Sequence, residues 1–199
     1  MPNYCDYEMK VVGKPASIKE FISVIQADYD YATNVFTGPR HMYRVFEAHV
    51  VQEPDMEELD ENGNAECIIS GYCAWSVAAC MLDIGYGSYY SDVRRDQSFG
   101  TSPDVKRRDT HLLLESENLG LDIEVFSKEP GMCFQEHYLI KNGELTVNET
   151  HEYNLVYWDK DEYPTIEEFN EDNGTDYLET DFDEDGFFEV GGIEWAYEI

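Results

Sequence analysis

Phe134-Gln-Glu-His-Tyr-Leu-Ile140 runs through Lys141-Asn142-Gly143 and returns as Leu145-Thr-Val-Asn-Glu149. Two β-prone segments joined by Asn-Gly are the strongest local signal for an antiparallel hairpin, because both turn residues must take positive φ. Just upstream, Leu121 to Ser127 reads as a strand through Leu121, Ile123 and Val125, and Pro130-Gly131 as the turn that feeds Phe134. A helix from about Ser102 or Asp104 to Leu119, stopped by Gly120, precedes that strand.

Working back to the start, Asn3 to Val12 reads as a first strand and Gly13-Lys14-Pro15 as its turn. Ser17 with Glu20 forms the pattern of a capping box, and Ile18, Phe21, Ile22 and Ile25 recur at helical spacing. His41 to Val51 is the second expected strand, and Cys67 to Met81 the third. An acidic connection with Pro54 and Asn62-Gly63-Asn64 joins them. The order β-α-β-β-α-β predicts an α+β fold, a ferredoxin-like antiparallel sheet with two helices on one face. Residues 1–150 form this expected body, with a tyrosine-bearing insertion at about 85–103 around Gly85, Gly87, Tyr89 and Tyr90. Residues 151–199 form an acidic, aromatic-rich extension packed on it, with a helix from Thr165 to Asn173 between Pro164 and Gly174, then irregular or extended chain through Trp195.

The chain has 199 residues and a formal net charge of -30, yet 42% of it is apolar and 14% aromatic, so it has the means to build a core. Residues 142–199 hold 19 Asp or Glu against Lys160 alone. Their acids alternate with Leu155, Tyr157, Trp158, Phe169, Phe182, Phe187 and other apolar groups, which are expected to dock on a core while the carboxylates stay in water. Acidity by itself serves solubility, but a charge this large also imposes self-repulsion, which points to a use. Five Cys with no CxxC pair and no secretory leader lead us to expect reduced thiols in the bacterial cytoplasm, with Cys73 and Cys80 as small core residues. No stretch approaches the ~18 apolar residues of a membrane span.

Met1-Pro2-Asn3-Tyr4-Cys5 at the start and Phe126-Ser127-Lys128-Glu129-Pro130-Gly131-Met132-Cys133-Phe134 later, with Trp75 on a strand between them, carry a family resemblance. Over roughly residues 1–150 the chain resembles the YubB-type ferredoxin-like proteins of plasmids and phages. The resemblance implies a mobile-element origin, in keeping with an anti-CRISPR or other anti-defence role, and brings no catalytic residues with it. The chain departs from the family at 85–103 and in its acidic end.

Several residue groups invite chemistry. Asp181, Asp183, Asp185 and Gly186 match positions 1, 3, 5 and 6 of a calcium loop, but position 12, where a bidentate Glu belongs, is Gly192. The bland alternative is an acidic turn. His41, His49, His111 and His137 with the cysteines match no zinc spacing, and Glu136-His137 beside Cys133 fails as a nucleophile pair because adjacent strand residues face opposite ways. Arg94, Arg95, Lys106, Arg107 and Arg108 form a basic island, suited either to pairing with the acidic tail or to phosphates.

No cofactor, no metal centre and no catalytic group is expected, so the chain reads as a non-enzyme. The leading expectation is an inhibitor that mimics nucleic acid. Ordered carboxylates would occupy the basic groove of a nucleic-acid-binding host defence protein, such as a CRISPR-Cas effector nuclease, and block engagement or cleavage. The expected contact residues are Asp159, Asp161, Glu162, Glu167, Glu168, Glu171, Asp172, Asp181, Asp183, Glu184 and Asp185, with Tyr157 and Tyr163 supplying short-range contact. The alternatives are a nucleic-acid-binding module using the sheet and the basic island, and a calcium-binding protein.

Overall fold

The computed structural model describes residues 3–27, 29–30, 35–38, 40–42, 45–82 and 109–193. The 85–103 insertion, the island from Arg94 to Arg108, and Trp195 lie outside the described residues.

Strand β1 (Tyr4–Gly13) alternates as its sequence demands: Cys5, Tyr7, Met9 and Val11 are buried on one face. Full burial of a side chain the size of Val or Met contributes about 1.5–3 kcal/mol, so this strand anchors the core. Helix α1 (Pro15–Ile25) follows after one residue and turns Ile18, Phe21, Val24 and Ile25 inward. The capping box expected at Ser17 does not form, because Pro15 already starts the helix and Lys14 is its N-cap. Proline at the first helical position has its φ preset and no N–H to satisfy, so the helix begins three residues early.

β2 (Val45–Gln52) and β3 (Ala65–Ala74) form the next antiparallel pair. The third strand was expected to reach Met81, but it ends at Ala74, where Trp75 takes φ 66°. Beyond it the chain winds into a π-helical turn, Ala78–Leu82. Glu136 causes this stop. Its buried carboxylate accepts the backbone N–H groups of Val77 at 2.8 Å and Ala78 at 3.3 Å, together with the hydroxyls of Ser127 at 2.6 Å and Tyr138 at 2.8 Å.

Helix α2 (Leu112–Leu119) also starts later than expected. Asp109–Thr110 pairs in parallel with His41–Met42, and the His111 ring accepts from the Leu114 N–H as N-cap. Gly120 closes the helix at φ 63°. A partly buried ion pair fixes α2 to α1: the Arg40 guanidinium grips the buried Glu115 through two 2.8 Å bonds and reaches the exposed Glu20 at 2.9 Å.

β4 (Asp122–Glu129), β5 (Phe134–Lys141) and β6 (Glu144–Tyr157) complete a meander. Asn142 and Gly143 take φ 49° and 79°, the conformation their hairpin turn requires. Helix α3 (Ile166–Asn173) has Thr165 as N-cap and Gly174 in the left-handed conformation at its end, as the sequence indicates. β7 (Phe187–Gly191) closes the described chain.

The result is mixed α+β, an antiparallel seven-stranded sheet in the order β7-β6-β5-β4-β1-β3-β2. α1 and α2 cover one face, and the main core lies between them and β1, β3, β4 and β5. Cys5, Cys67, Cys73 and Cys80 belong to this core as free thiols, and burial pushes the Cys67 thiol up to about 11.

A candidate partner-binding surface

The acidic segment begins as sheet. β6 runs without interruption through residue 150, where a domain boundary was expected. Its first part pairs with β5, and Tyr153 to Tyr157 pair with β7 on the other side. The two parts are also tied by side chains. Lys128 pairs with Glu189 and lies over the Tyr153 ring at 5.2 Å, and the Ile193 N–H donates to Gln135 at 2.6 Å. Burial pushes the Tyr153 hydroxyl up to about 12.

Beyond Tyr157 the aromatics do not dock on the main core. Trp158, Phe169 and Phe182 are buried against one another and are flanked by Val156, Tyr163, Ile166, Tyr177 and Phe188. The rings meet edge-on: Phe182 stands 5.6 Å from Trp158, 6.0 Å from Phe169 and 5.5 Å from Phe188. Polar groups lock this second core. The Trp158 indole N–H donates to the Tyr163 carbonyl at 2.8 Å, and Asn170 receives the Thr175 hydroxyl at 2.8 Å and the Tyr177 N–H at 3.0 Å.

The carboxylates expected to meet a partner are distributed over this unit in three groups. Glu167, Glu168, Glu171 and Asp172 are exposed on α3. Glu167 and Glu168 sit in its first turn, where the helix dipole favours negative charge. Asp181 and Asp183 hold turns: Asp181 accepts the Leu178 N–H at 2.7 Å, and one oxygen of Asp183 accepts from Asp185 at 3.0 Å and Phe187 at 2.8 Å. These bonds give the calcium-like motif its shape as an acidic turn. Among the described residues no three His, Cys, Asp or Glu side chains converge as a metal site.

The third group is gathered at one place. Asp159, Asp161, Glu184 and Asp185 line a cleft of about 190 Å³ with Tyr157, Trp158, Lys160 and Gly186. Gly186 permits the cleft, since a β-carbon there would stand 2.7 Å from the Trp158 carbonyl and its φ is +86°. The Lys160 ammonium sits 4.7 Å above the Trp158 ring centroid. Glu162 is exposed nearby. Tyr163 is half-buried with its hydroxyl 2.7 Å from Asp172, a bond that raises it to about 12, so it supports the second core instead of presenting itself to a partner.

Leu155 and Phe187, expected to dock on a core, lie outside it, and Tyr157, expected both among the docking aromatics and as a contact residue, is at the surface. Leu155, Tyr157 and Phe187 are 44%, 51% and 37% exposed, and the Tyr157 and Phe187 rings lie 4.8 Å apart. Alternation along β6 gave no signal for this, since Leu155 and Tyr157 share a strand face with the buried Tyr153.

On the body, Tyr4, Phe46 and Tyr72 cluster on the sheet face away from the helices, with centroids 5.2 to 6.2 Å apart. Their sequence context showed no nucleic-acid motif. His137 lies on the same open face, stacked on Phe126 at 4.1 Å and 2.9 Å from Glu124, while Glu136 points to the core. Cys133 sits in the β4–β5 turn and bonds to the Pro130 carbonyl, so no Cys-His pair is assembled. His49 pairs with Glu47 and His111 caps α2.

The Glu129-Pro130-Gly131 turn has a plain structural basis. Glu129 is buried and folds back on the N–H groups of Gly131, at 3.2 Å, and Met132, at 2.5 Å, while the Asn3 carbonyl accepts the Trp75 N–H at 2.9 Å. Among the described residues no helix is long and apolar enough to cross a membrane. No family model, no curated protein and no solved structure matches the chain.

Proposed function

We propose that this chain is a non-enzymatic inhibitor from a phage or other mobile element, acting in the cytoplasm of a bacterial host. It binds a basic nucleic-acid-binding defence protein, such as a CRISPR-Cas effector nuclease, and blocks nucleic-acid engagement or cleavage. The carrying observation is the second core: Trp158, Phe169 and Phe182 hold the segment that follows β6 in a fixed shape, so its carboxylates form an ordered surface instead of a solvated tail. An array of fixed carboxylates competes for a groove built to neutralise phosphates.

In this reading the body is ferredoxin-like and of the YubB type, and the acidic part is an extension grafted on its sheet. The sub-order β4-β1-β3-β2, with α1 after β1 and α2 before β4, supports the first half. The continuation of β6 into the acidic segment supports the second.

The test is capture of purified effector nucleases by the immobilised chain, with salt raised and with guide RNA or DNA added. The proposal expects a complex that weakens with salt and is displaced by nucleic acid. A complex indifferent to both, or none with any basic defence protein, refutes it.

A second reading, a module that binds single-stranded nucleic acid on the sheet, draws on the exposed Tyr4 and Phe46 beside Tyr72. Asp6 and Glu47 stand close to those rings in sequence, and the net charge of -30 opposes phosphate approach. Direct retention of single-stranded RNA or DNA at physiological salt would favour it over the inhibitor.

A further inference from the structure

β2 forms one edge of the sheet and pairs with β3 alone. In an antiparallel pair, successive residues turn their backbone N–H and C=O groups to opposite sides, so every second residue of an edge strand faces outward. The Trp75 N–H, bonded to the Asn3 carbonyl, sets the phase: Cys73 and Gly71 turn to β1, and Tyr72 and Ser70 to β2. Glu47 and His49 stand opposite Tyr72 and Ser70, which leaves the backbone groups of Ala48 and Val50 facing out of the sheet. A stand-in already meets one of them. The Gln26 side-chain amide, at the end of α1, donates to the Ala48 carbonyl at 3.0 Å, where the N–H of a further strand would lie. Beside this bond runs a groove of about 550 Å³, lined by Ile25, Gln26 and Ala27 of the helix end and by Val45 to His49 with Tyr72. Between Val45 and Gln52 the strand carries none of the Pro or Lys residues that blunt a free edge.

We propose that the β2 edge docks an extended basic segment of a protein partner, which adds as a further strand and takes over the Ala48 carbonyl from Gln26. The inference rests on the reading of a basic partner for the sign of its charge, and it places a contact on the body, away from the acidic unit. Glu47 is the one carboxylate lining the groove among the described residues. Bonds from the Tyr72 hydroxyl and the His49 ring hold its carboxyl below the ordinary range, so it is ionised at neutral pH. A Lys or Arg opposite it completes a cross-strand charge pair. α1 ends beside the groove with no base in its last turn, so the negative end of the helix dipole adds to the same attraction. Phe46, 43% exposed and grouped with Tyr72, takes an apolar neighbour. A second copy of the chain is the poorer occupant, because each carries a net charge of -30.

The test uses the full chain and two labelled octapeptides of alternating Lys and Val, one with an ordinary backbone and one N-methylated at every residue, titrated at about 0.15 M salt. The two share charge and side chains, but only the first can donate to a strand edge. It should bind about tenfold more tightly, the scale of a pair of backbone hydrogen bonds. On binding, the Ala48 and Val50 amides should gain protection from hydrogen exchange, while those of Tyr7 to Val11 stay as they are. Gln26→Ala, which frees the Ala48 carbonyl, should tighten the first peptide alone, and Glu47→Gln should weaken both. Equal affinities, or no added protection at Ala48 and Val50, overturn the proposal. So does dimerisation of the chain seen by sedimentation and abolished by Val50→Pro, which would make a second copy the occupant. If the first peptide docks but no effector nuclease is captured, the groove stands and the reading of the partner as a defence nuclease fails. If a nuclease is captured while the edge stays unprotected, only the edge proposal fails.

Discussion

Replacing Phe182 with Ala should unfold the acidic unit and leave the main core standing. Phe182 is 9% exposed, and its ring meets Trp158, Phe169, Tyr177 and Phe188 at centroid separations of 5.6, 6.0, 6.1 and 5.5 Å. Truncating a buried Phe costs about 3–5 kcal/mol, and four ring neighbours place this site toward the upper end. A unit of roughly 40 residues carries only about 2–6 kcal/mol of stability at ~0.05–0.15 kcal/mol per residue. The truncation therefore removes most or all of it. The main core shares none of its buried residues with this cluster, so β1, β3 and β4 should keep their protection. Hydrogen exchange read by mass spectrometry resolves the two regions: amides from Trp158 to Val190 should exchange rapidly in the variant while those of Tyr7 to Val11 do not. Capture of the proposed basic partner should be lost in parallel. Equal deprotection of both regions would mean that the acidic unit is not separately cored, and unchanged protection would mean that Phe182 does not hold it.

Two further substitutions probe the body. Glu136→Ala leaves the N–H groups of Val77 and Ala78 without an acceptor, and they cannot rotate away as the Ser127 and Tyr138 hydroxyls can. At about 1–3 kcal/mol for each orphaned donor, denaturant unfolding should show a loss near 3 kcal/mol, and a loss below about 1 kcal/mol would contradict the staple. Glu8 is 4% exposed on the opposite face of β1, one of its oxygens has no hydrogen-bond partner, and burial raises its carboxyl above the ordinary range. A raised acid favours the protonated form in the fold, so its penalty is absent below the unfolded pKa and complete once the pH passes the folded value. Glu8→Gln should thus be more stable than the native chain at neutral pH, by about 1–2 kcal/mol, and the difference should close toward pH ~4. Equal or lower stability at pH 7 would refute the assignment.

Much of the local structure was readable because its causes are local. Asn142-Gly143 is the turn its φ values demand, and Thr165 and Gly174 bracket α3 because capping needs only neighbours along the chain. Alternation alone placed Glu136 and His137 on opposite faces of β5. The errors arose where distant partners intervene. β3 stops at Ala74 because a carboxylate from β5 caps the turn after it, and α2 starts at Leu112 because the residues before it pair with His41–Met42. The strand that was read as ending near Glu149 continues to Tyr157 because β7, some thirty residues later, supplies its hydrogen bonds.

The amino-acid sequence by itself determined that this chain builds an α+β body around a meander and gathers its negative charge in the last third, since period, turn chemistry and ionisation belong to residues one at a time. Only the tertiary structure decided what the charged third is. Burial is a contest among all apolar groups for the same interior. Trp158, Phe169 and Phe182 resolve it by packing with one another, which leaves Leu155, Tyr157 and Phe187 outside and brings Asp159, Asp161, Glu184 and Asp185 around one cleft.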